Sequence, residues 1–490
     1  MSYRPTFHGS FLVLLSCLLL VGGLPGVQAV SAEPPKHPNV LVILTDQQHA
    51  GMLSCAGNPH LKTPAMDSLA QRGARFERAY CGNPVCVPSR VTMMAGVLPS
   101  RIGMEANEDM RQAKAKVSQD ILQRCLGQVF RQAGYETLYG GKVHLPMTLE
   151  QIGFELITRD ERAQLADECA ALLRKKHDKP FLMVASFINP HDICYMAIRS
   201  FEQSSGKAVL GKRAGQEGSA RAELAALDEA LKLPAGMSRE AFFSTVCPPL
   251  PANFEIPPHE PESAIKVDPR NFRVYAREQW SPEQWRLHRW AYCRLTERVD
   301  AEIATVLKAL RDAGLEENTL VVFTSDHGDM DSAHRLEHKS VLYEEATRVP
   351  FVVSLKGVTK PGLVDKEHLV STGLDLIPTL CDYAGIAKPQ GLAGRSVRAL
   401  AEGRPGDAWR DSLVVESNHS RMIRTAGFKY TVYDSGKPQE VLIDLEQDPG
   451  EMKNLAEDPA YRETLQKHRK LLLQWYRDNG EQLDAKYVIQ

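Results

Sequence analysis

The stretch NVLVILTDQQ, residues 39–48, carries five apolar residues in unbroken succession and turns polar at Thr45 and Asp46. An apolar run of this length without polar alternation suits a strand buried on both faces, as in the interior of a parallel sheet. Two remote segments share the form: PFLMVASFINPHD (residues 180–192) and NTLVVFTSDHGD (residues 318–329). Between them, TPAMDSLAQRGARF (63–76), DILQRCLGQVFRQAGY (120–135) and RLTERVDAEIATVLKALRDAGL (294–315) space their apolar residues by three and four, and each ends near a glycine. Strand and helix alternate, which predicts a doubly wound α/β sheet. Ligands bind such sheets beyond the carboxyl ends of the strands. Asp46, His191, Asp326 and His327 all stand there, so three distant segments offer oxygen and imidazole groups to one rim.

A chain of 490 residues is too long for one small core and suits a large α/β domain with a smaller companion. Its formal charge of −2 gives no electrostatic reason to expect nucleic acid or an anionic membrane as partner. Any anion recognition has to be local. Arg4, the apolar run FLVLLSCLLLVGG (11–23) and the small residues ending at Ala29 and Ala32 read as a secretory signal, cleaved after Ala29 or Ala32. The run is too short to span a bilayer comfortably, so no stable membrane insertion is expected after cleavage. An uncleaved anchor and acylation at Cys17 are the minority readings. The ten cysteines are scattered without CxxC pairs or zinc spacing, leaving one or two disulfides or buried free thiols.

The region from Cys194 to Trp290 reads as an irregular insertion, with a proline-rich part, CPPLPANFEIPPHEP (247–261), that shapes a cleft or merely decorates the surface. After Ala401, DSLVVES and FKYTVYDSGKPQEVLIDLEQDPG read as strands joined by a DSGK turn, followed by a closing helix from Pro459 to Tyr476. The expected organisation is therefore a signal segment (1–29), a catalytic domain (36–400) and a C-terminal subdomain (401–490) of antiparallel sheet plus helix.

The chemistry concentrates in CVPSRVTMMAGVLPSR. Pro88 marks a first helical turn, which puts Cys86 just before a helix N-terminus, where free amides favour an anion, with the positive charge of Arg90 one turn on. A sulfur kept for its own sake would need a metal, a partner thiol or a histidine beside it, and the pentapeptide CVPSR supplies none.

These residues resemble the sulfatases of the alkaline phosphatase superfamily. CVPSR followed by Gly96 is similar to the signature whose cysteine is oxidised to formylglycine, and GYETLYGGKVHL (134–145) is similar to a second signature, supplying Lys142 and His144. The likeness continues through NVLVILTDQ, NPH, SDHGD, Lys339 with YEEATRVPFVV, and DLEQDPGEMKNLA, and covers nearly the whole mature chain. It implies a large mixed, mostly parallel sheet flanked by helices, an exported periplasmic or extracellular enzyme, and a formylglycine-generating enzyme as partner during maturation. It also implies that Asp46, Gln47, Asp326, His327 and modified Cys86 hold a divalent cation. Gln47 stands where many relatives have a second aspartate, and the lost charge makes calcium the first choice and magnesium the second; a hydrogen-bonding role behind the ligands is the alternative for Gln47.

By the same resemblance, Arg90, Lys142 and Lys339 surround the sulfuryl oxygens. One hydroxyl of the hydrated aldehyde attacks sulfur, and His144 deprotonates the other to expel sulfate. His191, with Lys339 as rival, protonates the leaving oxygen. Singly, each residue has a plainer reading: Lys142 a solvated turn lysine, His191 a strand-end cap, His327 a partner of a nearby carbonyl, Lys339 part of a charged face. His334 and His338 are weaker candidates for substrate contact. The expected function is sulfate ester hydrolysis on a sulfated saccharide. The rivals are a phosphonate monoester or phosphodiester hydrolase using the same nucleophile, and a catalytically silent protein that binds sulfated glycans.

Overall fold

Continuous apolar runs become the centre of the main sheet. The computed structural model describes residues 37–206, 217–265, 272–404 and 408–489, together with Met1. The expected signal segment and its Cys17 lie outside the described residues. In chain order the strands are β1 (Asn39–Asp46), β2 (Ala74–Phe76), β3 (Ala79–Tyr80), β4 (Glu136–Gly141), β5 (Glu155–Leu156), β6 (Phe181–Pro190), β7 (Thr319–Ser325), β8 (Phe351–Ser354), β9 (Leu363–Asp365), β10 (Val370–Ser371), β11 (Ser412–Ser417), β12 (Ser420–Thr425), β13 (Phe428–Tyr433) and β14 (Glu440–Asp444).

Eight of them form one sheet in the order β5-β4-β6-β1-β7-β8-β2-β9, with β3 and β10 as a separate pair. The three strands read from the sequence are its middle: β1 lies between β6 and β7 and is parallel to both. Only β8 runs antiparallel to its neighbours, β7 and β2. The sheet is mixed and mostly parallel, as the alternation of elements predicts.

All eight residues of β1 are buried. Val40, Val42 and Leu44 enter one apolar cluster and Leu41 and Ile43 the other, so both faces are covered. Each such side chain contributes about 1.5–3 kcal/mol of burial, and the second face removes any place for a polar alternation. One of the covering helices, Pro282–Asp312, extends the segment 294–315 backward to a capping box at Ser281 and Gln284.

The stretch expected to be irregular is largely helical among the described residues, with helices Tyr195–Ser205, Glu217–Ala230, Arg239–Thr245, Glu262–Ile265 and Phe272–Gln279. The residues 120–135 form two helices, Gln119–Gln123 and Leu126–Gln132, in place of one. The C-terminal sheet, β11-β12-β13-β14, is antiparallel throughout and contains one strand, β12, that the sequence reading passed over. It shares an apolar cluster with Leu98, Leu374 and the closing helix Arg462–Asp478. All nine described cysteines are free thiols, and no described helix is long and apolar enough to cross a membrane.

Candidate active site

The rim predicted from three strands gathers the candidate residues. Asp46 ends β1, Asp326 and His327 follow β7, His191 follows β6 and Lys142 follows β4. Cys86 opens the helix Cys86–Ala95, whose ten residues are all buried. Val85 supplies no side-chain cap; instead Asn107 Oδ1 accepts from the Val87 amide at 3.0 Å, holding the helix start in place. Gly141 makes the approach of Lys142 practicable. Its φ is +83°, and a Cβ there would stand 2.2 Å from the Ser186 carbonyl oxygen. Lys339 comes from a loop in which Asp331, Ser332, His334, Arg335, His338 and Ser340 all have positive φ, a conformation that costs non-glycine residues energy and is retained only where the surroundings dictate it.

Cys86 is 1% exposed. Its Sγ lies 3.0 Å from Lys339 Nζ, 3.8 Å from Lys142 Nζ, 3.3 Å from His327 Nε2 and 3.8 Å from Asp46 Oδ1. Burial and the Asp46 charge raise the thiol, yet Lys142, Lys339 and His327 outweigh them and hold it well below the ordinary thiol range. An anion at this position is therefore stabilised by the surrounding charge.

Behind the sulfur, Asp46, Asp326, His327 and Cys86 present ligand atoms that all lie within 4.8 Å of one another. His327 Nδ1 is 2.8 Å from the Gly328 carbonyl, an acceptor, so Nδ1 carries a proton; burial opposes a second proton but Asp326 beside it raises the imidazole pKa, and loss of the Nε2 proton to a bound cation would turn that lone pair inward. Burial opposes charging of Asp46, but Lys142, His191, Lys339 and Arg90 keep it well below the usual carboxylate range. Asp326 is raised by burial and by the Asp46 charge beside it. Two buried carboxylates and an imidazole facing them are a donor set suited to a divalent cation, whose charge would relieve the repulsion between the acids.

Gln47 sits with φ +68°. Its Nε2 donates to Asp329 Oδ2 at 2.6 Å and its Oε1 accepts from Lys339 Nζ at 2.7 Å, while Tyr292 Oη donates to its backbone carbonyl at 2.5 Å. An acceptor-only carboxylate on one side and a donor-only ammonium on the other fix the amide in one orientation. Asp329 and Tyr292 were not singled out from the sequence. Asp329 was visible only as part of SDHGD, and nothing local marks Tyr292, whose partner is 245 residues away.

Arg90 departs from the expectation that it faces the sulfuryl oxygens. It is fully buried. Its Nη2 donates to Asp46 Oδ2 and its Nε to Asp326 Oδ2, both at 2.9 Å, while Nη1 donates to the Lys142 carbonyl and Ser186 Oγ at 2.8 and 2.7 Å. These bonds set the two carboxylates side by side.

A cavity of about 370 Å³ opens in front of Cys86, lined among others by Lys142, His144, His191 and Lys339. His144 is half-buried with φ +46°, and its Nδ1 has no hydrogen-bond partner among the described residues. Burial lowers its pKa, with the adjoining Cys86 side chain acting against the shift. His191 is held well below the ordinary imidazole range by burial and by the charges of Lys142 and Lys339. His338 also lines the cavity. His334 stacks on Tyr343 with ring centroids 4.1 Å apart, away from the cavity lining.

The family model described as Sulfatase matches residues 38–386, and the model described as N-sulphoglucosamine sulphohydrolase, C-terminal, matches residues 332–478. The Delta 4,5-hexuronate-2-O-sulfatase of Bacteroides thetaiotaomicron is 29% identical, over 90% of this chain and 89% of its own length. The Ulvan-active sulfatase of Formosa agariphila is 28% identical, over 89% and 80%. The solved structure of a 2-O GAG sulfatase is similar with a TM-score of 0.73 at 28% identity, covering 91% of this chain and 93% of its own.

Proposed function

The chain belongs to the sulfatase family and hydrolyses sulfate esters; from that premise we propose that its substrate is a sulfated saccharide, that Cys86 is carried as formylglycine, and that calcium is the bound cation. The observation that carries the reading is the pair of ammonium groups, Lys339 at 3.0 Å and Lys142 at 3.8 Å from Cys86 Sγ, in front of two buried carboxylates. The sulfur stands where an oxygen of the modified residue would be. Hydration of the aldehyde supplies one hydroxyl as nucleophile and a second whose deprotonation allows sulfate to leave.

Asp46, Asp326 and His327, with the Gln47 side-chain oxygen and an oxygen of modified Cys86, would hold calcium, which when bound supplies positive charge against the nucleophile and the sulfuryl oxygens. Lys142 and Lys339 hold the transferring group by fixed charge. Arg90 positions Asp46 and Asp326. His144, kept neutral by burial, takes the proton from the second hydroxyl. His191 gives a proton or a hydrogen bond to the leaving oxygen; an anion seated between Lys142 and Lys339 offsets the charges that depress its pKa. Lys339 is the rival acid.

The names of the relatives, acting on hexuronate and ulvan, support a saccharide. Residues 1–29 serve as the export signal, residues 36–400 as the catalytic domain and 401–490 as the C-terminal subdomain, with a formylglycine-generating enzyme acting on Cys86 before folding buries it.

Sulfate release from a panel of defined sulfated saccharides, beside matched aryl sulfate and aryl phosphonate, tests the reading. The expected result is turnover of at least one saccharide well above the phosphonate. A clear preference for phosphonate, or binding of sulfated glycans without turnover, would overturn it.

A further inference from the structure

Building on the sulfatase reading, we infer that the cavity takes a saccharide bearing a second anionic group besides the scissile sulfate, a carboxylate or a further sulfate, and that Arg159 receives it. The cavity lining carries five fixed cations, Arg111, Lys142, Arg159, Arg162 and Lys339, against two carboxylates, Glu161 and Glu223. Lys142 and Lys339 face Cys86 and are accounted for by the scissile group.

Every carboxylate near the other arginines already has a partner. Arg162 pairs with Asp192 through Nη2 at 2.8 Å and Nε at 3.3 Å, with Glu161 at 2.6 Å and with Glu223 at 3.4 Å. Asp160 faces its own backbone, accepting from the amides of Arg162 at 2.9 Å and Ala163 at 2.7 Å. Its own amide donates to Thr158 Oγ1 at 3.1 Å, which ties down the turn that carries Arg159. Arg159 is exposed on the cavity wall and has no hydrogen bond or ion pair among the described residues. Arg111 is nearly as free, since its contact with Glu108 is 3.4 Å long with both side chains about half exposed.

A guanidinium left without a protein partner, while three acids and an arginine satisfy one another beside it, is placed to receive an anion from the ligand. A neutral monosulfated sugar has nothing to offer it. One charge-assisted contact of this kind gives a preference of about 10- to 100-fold.

The test compares wild type, Arg159→Ala and Arg159→Lys on three disaccharides sulfated at the same hydroxyl: one with a uronate carboxylate, its carboxyl-reduced counterpart, and that counterpart bearing a second sulfate. Wild type should prefer one of the charged forms in kcat/KM by about 10- to 100-fold. Arg159→Ala should shrink that preference to within about 3-fold, and Arg159→Lys should keep part of it. Whether carboxylate or sulfate gains most identifies the anion. Equal handling of the neutral form by wild type, or a preference untouched in Arg159→Ala, overturns the inference. Calorimetric binding of the same disaccharides to Cys86→Ala and to Cys86→Ala/Arg159→Ala reads the preference without turnover. An absence of sulfate release would therefore count against the hydrolase reading, with the anion preference still measured.

Discussion

Asp329→Asn removes one formal charge and almost no volume, yet the hydrogen-bond count makes it a severe change. In the wild type, both carboxylate oxygens accept: Oδ1 from the Asp331 amide at 2.7 Å and Oδ2 from Gln47 Nε2 at 2.6 Å. An asparagine has one acceptor oxygen and one donor group at those two places. Either the Asp331 amide or the Gln47 amide then meets an N–H, in a site where Asp329 and Gln47 are both 0% exposed. Turning the Gln47 amide over relieves that clash only by aiming its NH2 at the Lys339 ammonium, the group that now donates to Oε1 at 2.7 Å. A buried unsatisfied group costs about 1–3 kcal/mol, which corresponds to roughly 5- to 150-fold in an equilibrium constant. Calorimetry of calcium binding to metal-free enzyme should show the dissociation constant raised within that range, and kcat/KM should fall at least about tenfold as Lys339 loses its anchor. Thermal unfolding serves as the control for folding. A folded Asp329→Asn enzyme with unchanged calcium affinity and turnover would refute the reasoning.

Other outcomes follow from the same geometry. Lys339→Ala should lower kcat by about 10²- to 10³-fold, because it removes a preorganised cation 3.0 Å from the nucleophilic position; single-turnover kinetics checks this. If His191 serves the leaving oxygen, His191→Ala should slow sugar sulfates much more than aryl sulfates with good leaving groups, and an equal loss on both would contradict the role. Chelation should abolish turnover, with calcium restoring it better than magnesium. His334 bears on stability. Burial, then Lys429 and Arg277, push its pKa down to about 3, so the folded state stays neutral where the unfolded chain, with a pKa of about 6.5, takes up a proton. Stability is fully present above that value and is lost as pH falls toward 3. Denaturant titrations should show His334→Gln losing about 2 kcal/mol less than wild type between pH 7 and pH 5.

The three central strands were legible because a strand buried on both faces leaves a continuous apolar run, and their polar ends pointed to the rim. Edge strands were not: β5 and β9 have two and three residues and are largely solvent-facing, too short for any period to register. β12 was hidden for a different reason. Arg421 and Arg424 lie inside it, 3% and 5% exposed, held by Glu416 and Glu105 in one case and by Tyr80 in the other, so buried charge breaks the apolar pattern. The segment 194–290 read as irregular because its helices are short, seven residues in Arg239–Thr245 and eight in Phe272–Gln279, and its apolar residues meet one another across the intervening prolines. In the site, Cys86, Lys142, His144 and Lys339 stood in recognisable motifs. Arg90 was found, while its bonds to Asp46 and Asp326 were not, because sequence spacing does not say which carboxylates a guanidinium meets. Asp329 and Tyr292 act through the side chain and carbonyl of Gln47, a dependence that only the folded arrangement brings together.

The most direct measurement is mass analysis of the peptide spanning position 86, taken from enzyme that releases sulfate from a saccharide. The expected result is an aldehyde or its hydrate at that position, and loss of both the modification and turnover in Cys86→Ala. An intact thiol in fully active enzyme would contradict it.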